Sequence, residues 1–198
     1  MQIFFIRHAQ DDDNYIGGWS NIDMTEEGKE QANVLSNYFF ENKKELKINR
    51  IISSDLKRAL STIAPTAQKL NLPIIQDASW RGLNNGKIGG LLSSEAKIKY
   101  PKTFLYDLDM DEHYPDGESP REFYERVKKA FHDIVSGYDT KENIIVLTHG
   151  SNINVLYSIL KDEEWDNKKK TKSILATSIV EVEFLNDRAK LKRTFFVD

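Results

Sequence analysis

With 198 residues, 39% of them hydrophobic and 30% charged, the chain has an ordinary globular composition and is long enough to bury a full core. A formal net charge of −3 gives no global attraction to nucleic acid or to an anionic membrane, and zero cysteines exclude disulfides and thiolate metal sites. No apolar run approaches the roughly 20 residues of a membrane span, and the N-terminus lacks a signal peptide's basic and apolar regions. A soluble, cytoplasmic protein is expected, with neither nucleic acid nor membrane as partner.

The first strand is the short, mostly apolar run from Met1 to Ile6, ending abruptly in Arg7-His8. A polar loop over residues 10–23 follows, carrying Asp11-Asp12-Asp13, Asn14, Gly17-Gly18 and Trp19. Thr25 is placed to cap a helix with Glu26 and Glu27 in its first turn, where the macrodipole favours carboxylates, and Ala32, Leu35 and Phe39 form its apolar stripe. Residues 50–53 read as a second strand. Asp55 is expected to cap the next helix, whose apolar face is Leu56, Leu60, Ile63, Ala67 and Leu70; Pro65 is expected to kink it or end its first half near Ala64.

A short strand is expected over 72–76, then a glycine-rich loop from Trp80 to Gly90 too irregular for a regular element. A short helix over 93–99 and an aromatic, acidic segment to Gly117 come next. Ser119-Pro120-Arg121-Glu122 is a capping box with proline at the first helical position, and Phe123, Val127, Phe131, Ile134 and Val135 continue that helix on one face. The β-branched run Asn143-Ile144-Ile145-Val146-Leu147-Thr148 then ends in His149-Gly150, repeating the design of the first strand. A helix through Leu160 and two strands, near 177–184 and 191–197 with a turn at Asn186-Asp187, complete the chain. Strands alternating with helices predict an α/β fold: a three-layer αβα sandwich around a mainly parallel sheet, a single domain over 1–198 with an insertion at about 88–118.

Two strands that each deliver a histidine at the C-terminal end point both toward the crevice where open α/β sheets bind ligands. Arg7 beside the first histidine, and Arg58 after the second strand, present planar forks that match phosphate oxygens. His149 opens a helix at Gly150, where free backbone N–H groups favour an anion. A rigid neutral histidine can attack phosphorus and form a phosphohistidine. His132 and His113 read as bland, although His113 could face substrate. Asp11-Asp12-Asp13 could suggest a metal site, but arginine beside His8 disfavours a cation, so a solvated loop is expected. Lys168-Lys169-Lys170 reads as an exposed turn. Phe104, Tyr106 and Tyr114 could line a substrate pocket or simply pack the insertion down.

These blocks together resemble the histidine phosphatase superfamily, also called phosphoglycerate mutase-like. Arg7-His8-Ala9 stands where that family carries its RHG motif, with Ala9 as a mild departure. Trp19 to Gly28, ending in Thr25-Glu26-Glu27-Gly28, is similar to the family's approach to its first helix. Ser53 to Ala59, Asp116-Gly117-Glu118-Ser119 and Thr148-His149-Gly150 resemble further family blocks in the same order. The resemblance implies that His8 is the phosphorylated nucleophile, that Arg7 and Arg58 clamp the phosphate, and that His149, Gly150 and Asn14 contact it. It implies a metal-independent, acid-type phosphomonoester hydrolase without cofactor, acting on small phosphorylated metabolites. A phosphohistidine phosphatase or a phosphate-binding pseudo-enzyme is the alternative. A mutase is disfavoured by the short insertion.

One position departs from the family. Leu83-Asn84-Asn85-Gly86 aligns with the loop in which most members carry a glutamic acid four residues before the glycine, their proton donor to the leaving oxygen. Here that position is Gly82. Glu118 is the first candidate for a substitute acid, with Asp107, Asp109, Asp111 and Glu112 behind it. Gly82 itself is expected to hold a positive φ.

Overall fold

The computed structural model describes residues 1–139, 141–169, 173–185 and 188–197. Its centre is one six-stranded sheet in the order β3-β2-β4-β1-β5-β6, made of β1 (Gln2–Arg7), β2 (Ile48–Ser53), β3 (Ile74–Gln76), β4 (Asn143–Thr148), β5 (Ile179–Leu185) and β6 (Arg188–Phe195). The first four strands run parallel, and β5 and β6 add an antiparallel hairpin beside β1.

Alternation along each central strand sends side chains to both faces. Ile3, Phe5, Ile144 and Val146 meet Phe123, Val127 and Ile134 of α5 (Pro120–Gly137) and Ile153 and Leu156 of α6 (Gly150–Leu160). Phe4, Ile6, Ile145 and Leu147 meet Leu35 and Phe39 of α1 (Glu26–Glu41) and Ala59 and Ile63 of α3 (Lys57–Leu70). Both faces are therefore covered, as continuous apolar runs in parallel strands require. Each fully buried Leu, Ile or Phe contributes about 1.5–3 kcal/mol. A one-turn helix, α2 (Lys43–Leu46), leads into β2, and α4 (Ser93–Lys99) lies within the 88–118 segment, whose own small core is Ile88, Ala96, Leu108 and Tyr114.

Local signals account for most boundaries. Thr25 caps α1 by accepting from Gly28 N–H at 3.1 Å, and the box Ser119/Glu122 caps α5 in both directions. Gly28 is required for space: a Cβ there would lie 2.3 Å from the Gln10 carbonyl.

Four expectations need correction. Asp55 does not cap α3; the N-cap is Leu56, and the Asp55 carboxylate instead takes Nε and Nη2 of Arg81 at 2.6 and 2.5 Å. Two charge-assisted bonds outbid one backbone amide. Pro65 does not end its helix, which continues to Leu70; the packed face of Ala59, Ile63 and Ala67 holds it across one missing N–H bond. The third strand is shorter than expected because Leu72 N–H still bonds the Ala67 carbonyl at the helix end and Pro73 has no donor. The last two strands lie at Ile179–Leu185 and Arg188–Phe195, and the anticipated turn at Asn186-Asp187 falls outside the described residues, as does Lys170.

Candidate active site

Register places the two histidines side by side. Arg7 lies opposite Thr148 in the parallel β1–β4 ladder, so the next residues, His8 and His149, leave adjacent strand ends together. Their ring centroids are 5.0 Å apart, and both side chains are buried. His8 N–H donates to the Thr148 carbonyl at 3.0 Å, and Thr148 Oγ1 donates to the Trp80 carbonyl at 2.9 Å, tying the strand ends to the loop across the crevice.

Hydrogen bonding decides the tautomers. His8 Nδ1 is 2.7 Å from the Ala9 carbonyl, which can only accept, so Nδ1 carries the proton. Nε2 is left with its lone pair toward the cavity, where Arg58 Nε approaches at 3.3 Å. Arg58 can only donate, and its Nη2 lies 3.3 Å from His149 Nδ1, so that nitrogen accepts and His149 Nε2–H donates to Ser54 Oγ at 2.9 Å. Burial, followed by the charges of Arg58 and Arg7, holds His8 well below imidazole's ordinary range. His149 is held down by burial first, then by His8, Arg58, Arg126 and Arg7. Both rings are neutral near pH 7.

Arg58 sits in the first turn of α3, almost fully buried, with Nη2 also on the Gly18 carbonyl at 2.7 Å. Arg7 is braced by the Ile174 carbonyl. Burial draws both guanidinium values down and Asp11 opposes it; a guanidinium remains charged regardless. Together with the first residues of α6, Gly150 and Ser151, these groups line a cavity of about 440 Å³. Ile16, Leu83, Phe104, Leu105 and Tyr114 supply its apolar wall. A neutral imidazole lone pair facing two guanidinium groups and a helix N-terminus can attack, and stabilise charge on, a phosphoryl group.

The structure thus brings together Arg7, His8, Arg58, His149 and Gly150, and leaves out others. Asn14 is exposed, its amide N–H donates to Asp12 Oδ1 at 2.8 Å, and it does not line the cavity, although Asp13 and Tyr15 on either side of it do. Glu118 is absent from the cavity wall as well. It is gripped by Arg126 Nη2 at 2.6 Å and Nε at 3.1 Å, and it accepts from Asn84 N–H at 2.7 Å, so its oxygens are spent holding the Gly82 loop. Asp109, Asp111 and Glu112 pair with Lys168, Arg121 and Lys102, and Asp107 bonds the Phe104 amide. His113 pairs with Glu122 at 2.9 Å instead of facing the cavity. Phe104 and Tyr114 line it and Tyr106 does not.

Gly82 is not in the positive-φ region; its constraint is space, since a Cβ would lie 3.1 Å from His149 Cγ. Its carbonyl accepts from Trp19 Nε1 at 2.8 Å and Arg126 Nη2 at 2.9 Å. Among the described residues, the carboxylates lining the cavity are Asp11, Asp12 and Asp13. Asp11 was expected in a solvated loop, yet its side chain is only 16% exposed, with Oδ2 3.4 Å from Arg58 Nε. Its signal was only its place three residues after His8. Trp19, Arg126 and the buried Asn85 were likewise not singled out as site residues.

A family model described as the histidine phosphatase superfamily (branch 1) matches residues 3–196. A Schizosaccharomyces pombe protein named a probable phosphatase is 32% identical over 193 residues, covering 92% of this chain and 87% of its own length. Phosphoglycerate mutase-like protein 4 of Arabidopsis thaliana is 30% identical over 188 residues, covering 90% of this chain and 77% of its own. Among solved structures, YhfR of Bacillus stearothermophilus superposes with a TM-score of 0.83 at 22% identity, covering 96% of this chain and 94% of that one.

Proposed function

The chain belongs to the histidine phosphatase superfamily, and from that premise we propose that it hydrolyses small phosphomonoesters through a phosphohistidine on His8, without a metal. The observation that carries this reading is the Arg58 bridge between two neutral histidines, since it leaves His8 Nε2 unprotonated and aimed at an anion site. In the first step the Nε2 lone pair forms a bond to phosphorus as the bond to the leaving oxygen breaks. Arg7, Arg58 and the α6 N-terminus hold the phosphoryl oxygens, while His149 keeps the Arg58 guanidinium in place through Nδ1. Water then attacks the same phosphorus, and the P–N bond breaks and returns its electron pair to Nε2. Orthophosphate leaves, one proton of the water passing through solvent to the expelled leaving group.

With Gly82 at the position of the family's acid, and Glu118 bound to Arg126, substrates whose leaving group needs little protonation fit best. The same observation favours a second reading, a phosphohistidine phosphatase, because the leaving nitrogen can depart already protonated. Trapping of radiolabelled phosphate from a donor tests the core of both. Wild type should give an acid-labile phosphoenzyme and His8→Ala none; label retained by His8→Ala would end this assignment.

A further inference from the structure

Asp11 shares the cavity with the groups just assigned to phosphate, and it approaches the same guanidinium. Its Oδ2 lies 3.4 Å from Arg58 Nε, the nitrogen that points at His8 Nε2 from 3.3 Å, and its Oδ1 is 4.0 Å from His8 Nδ1. A phosphoryl group seated on Nε2 needs that donor or its neighbours for its own oxygens. A carboxylate and a phosphoryl dianion would then crowd one partly desolvated cation, and like charges at such range disfavour joint ionisation. The carboxylate is not on a loose tether. The Asp11 backbone bridges Met24, and Gln10 beside it accepts from Thr25 N–H at 2.9 Å, anchoring the loop to the start of α1.

We propose that Asp11 makes phosphate binding proton-coupled: the site admits a phosphoryl group together with one proton, lodged between the Asp11 carboxyl and a phosphoryl oxygen. This rests on the phosphatase reading and adds a residue that selects the protonation state of the substrate. The charged and titratable groups facing Asp11 are Arg58 from α3, Arg7 and His8 from the end of β1, and His149 across the cavity. Asp12 and Asp13 follow it in the loop, and Glu27 and Glu30 of α1 line the hollow it shares with Arg7. The two arginines attract either anion; the acidic neighbours add to the disfavour of two.

Calorimetric titration of the full chain with orthophosphate at pH 8, repeated in buffers of different ionisation enthalpy, tests this directly. Wild type should take up about one proton per phosphate bound. Asp11→Asn should bind at least about tenfold more tightly at pH 8, with that uptake largely gone, and Asp11→Thr should do the same should the amide disturb the loop. Acidification to pH 5.5 should strengthen wild-type binding more than the variant's, the protonation of phosphate itself being common to both. No uptake by wild type overturns the proposal, and so does undiminished uptake in the variants, which assigns the proton to His8 or His149. Equal affinity of wild type and variants at pH 8 overturns it and leaves the anion site standing. Absence of phosphate binding by every protein removes the phosphatase reading and this proposal together.

Discussion

Arg58 donates to both histidines at once, with Nε 3.3 Å from His8 Nε2 and Nη2 3.3 Å from His149 Nδ1. One guanidinium therefore links two rings that the Ala9 carbonyl and Ser54 Oγ hold from their other sides. A lysine offers a point charge and no fork. Arg58→Ala is expected to lower turnover about 10²–10³-fold, the scale of losing one preorganised donor, and Arg58→Lys to recover only part of it. Steady-state rates with the phosphoenzyme yield check this; a lysine variant at wild-type rate would show that charge alone suffices.

The buried neutral histidines give stability a defined pH dependence. In the unfolded chain each takes a proton as pH falls through its ordinary 6.5, while folding holds His8 and His149 neutral well below that. The unfolded state then binds more protons, so stability is level above about pH 7.5 and declines as pH drops below 6.5. Each ring contributes up to about 1.4 kcal/mol per pH unit. Denaturant unfolding between pH 7.5 and 5.5 in phosphate-free buffer measures the slope, and His149→Asn should reduce it. A level profile across that range would contradict burial in the neutral form.

Leaving-group preference follows from Gly82. General acid catalysis is worth typically about 10²–10⁴-fold, and it matters most for poor leaving groups. p-Nitrophenyl phosphate should therefore be hydrolysed far faster than glycerol phosphate. Gly82→Glu should raise the alkyl rate relative to the aryl rate, whereas Gly82→Ala should lower both, because a Cβ 3.1 Å from His149 Cγ pushes on that ring. An aryl-to-alkyl ratio near unity in wild type would reveal a working acid elsewhere.

Glu118 should behave as a structural anchor. Removing it frees Arg126 and leaves Asn84 N–H without its acceptor, a loss of about 1–3 kcal/mol. Glu118→Ala should lower the melting temperature and leave the shape of the pH–rate profile intact. A lost basic limb in that profile would return Glu118 to the chemistry.

Chelation should be harmless. In the proposed mechanism guanidinium groups neutralise the phosphate, so turnover in EDTA is expected to equal that in its absence. A loss reversed by added divalent ion would implicate Asp11 and its neighbours as ligands.

The sequence made the strand ends legible because apolar runs that stop at histidine have few structural alternatives, and register then forces His8 beside His149. Arg58, Gly150 and both helix caps were readable for similar reasons: each depends on neighbours within a few positions. Asp11 and Glu118 were harder to place because their environment is made by distant chain, whereas Asn14 is turned aside by Asp12, two residues before it. Whether a loop carboxylate faces in or out was settled by the Asp11–Met24 bridge, and Glu118 was claimed by Arg126 from the next helix. Asp55 likewise went to Arg81, 26 residues away, over the amides next to it.

The strand order also has a bearing on when the protein first becomes active. β1 lies between β4 and β5, and the Met1 amine reaches the Phe184 carbonyl, 183 positions along the chain. A ribosome adding roughly 5–20 residues per second keeps that first strand waiting on the order of ten seconds or more for its neighbours. Throughout, its Ile3-Phe4-Phe5-Ile6 run is an unpaired apolar edge, open to mispairing and to chaperones. Such long-range pairing is intrinsically slow to form. Since His8 is seated only once β4 and β5 flank it, the onset of phosphoenzyme formation during synthesis would serve as a clock for completion of the sheet.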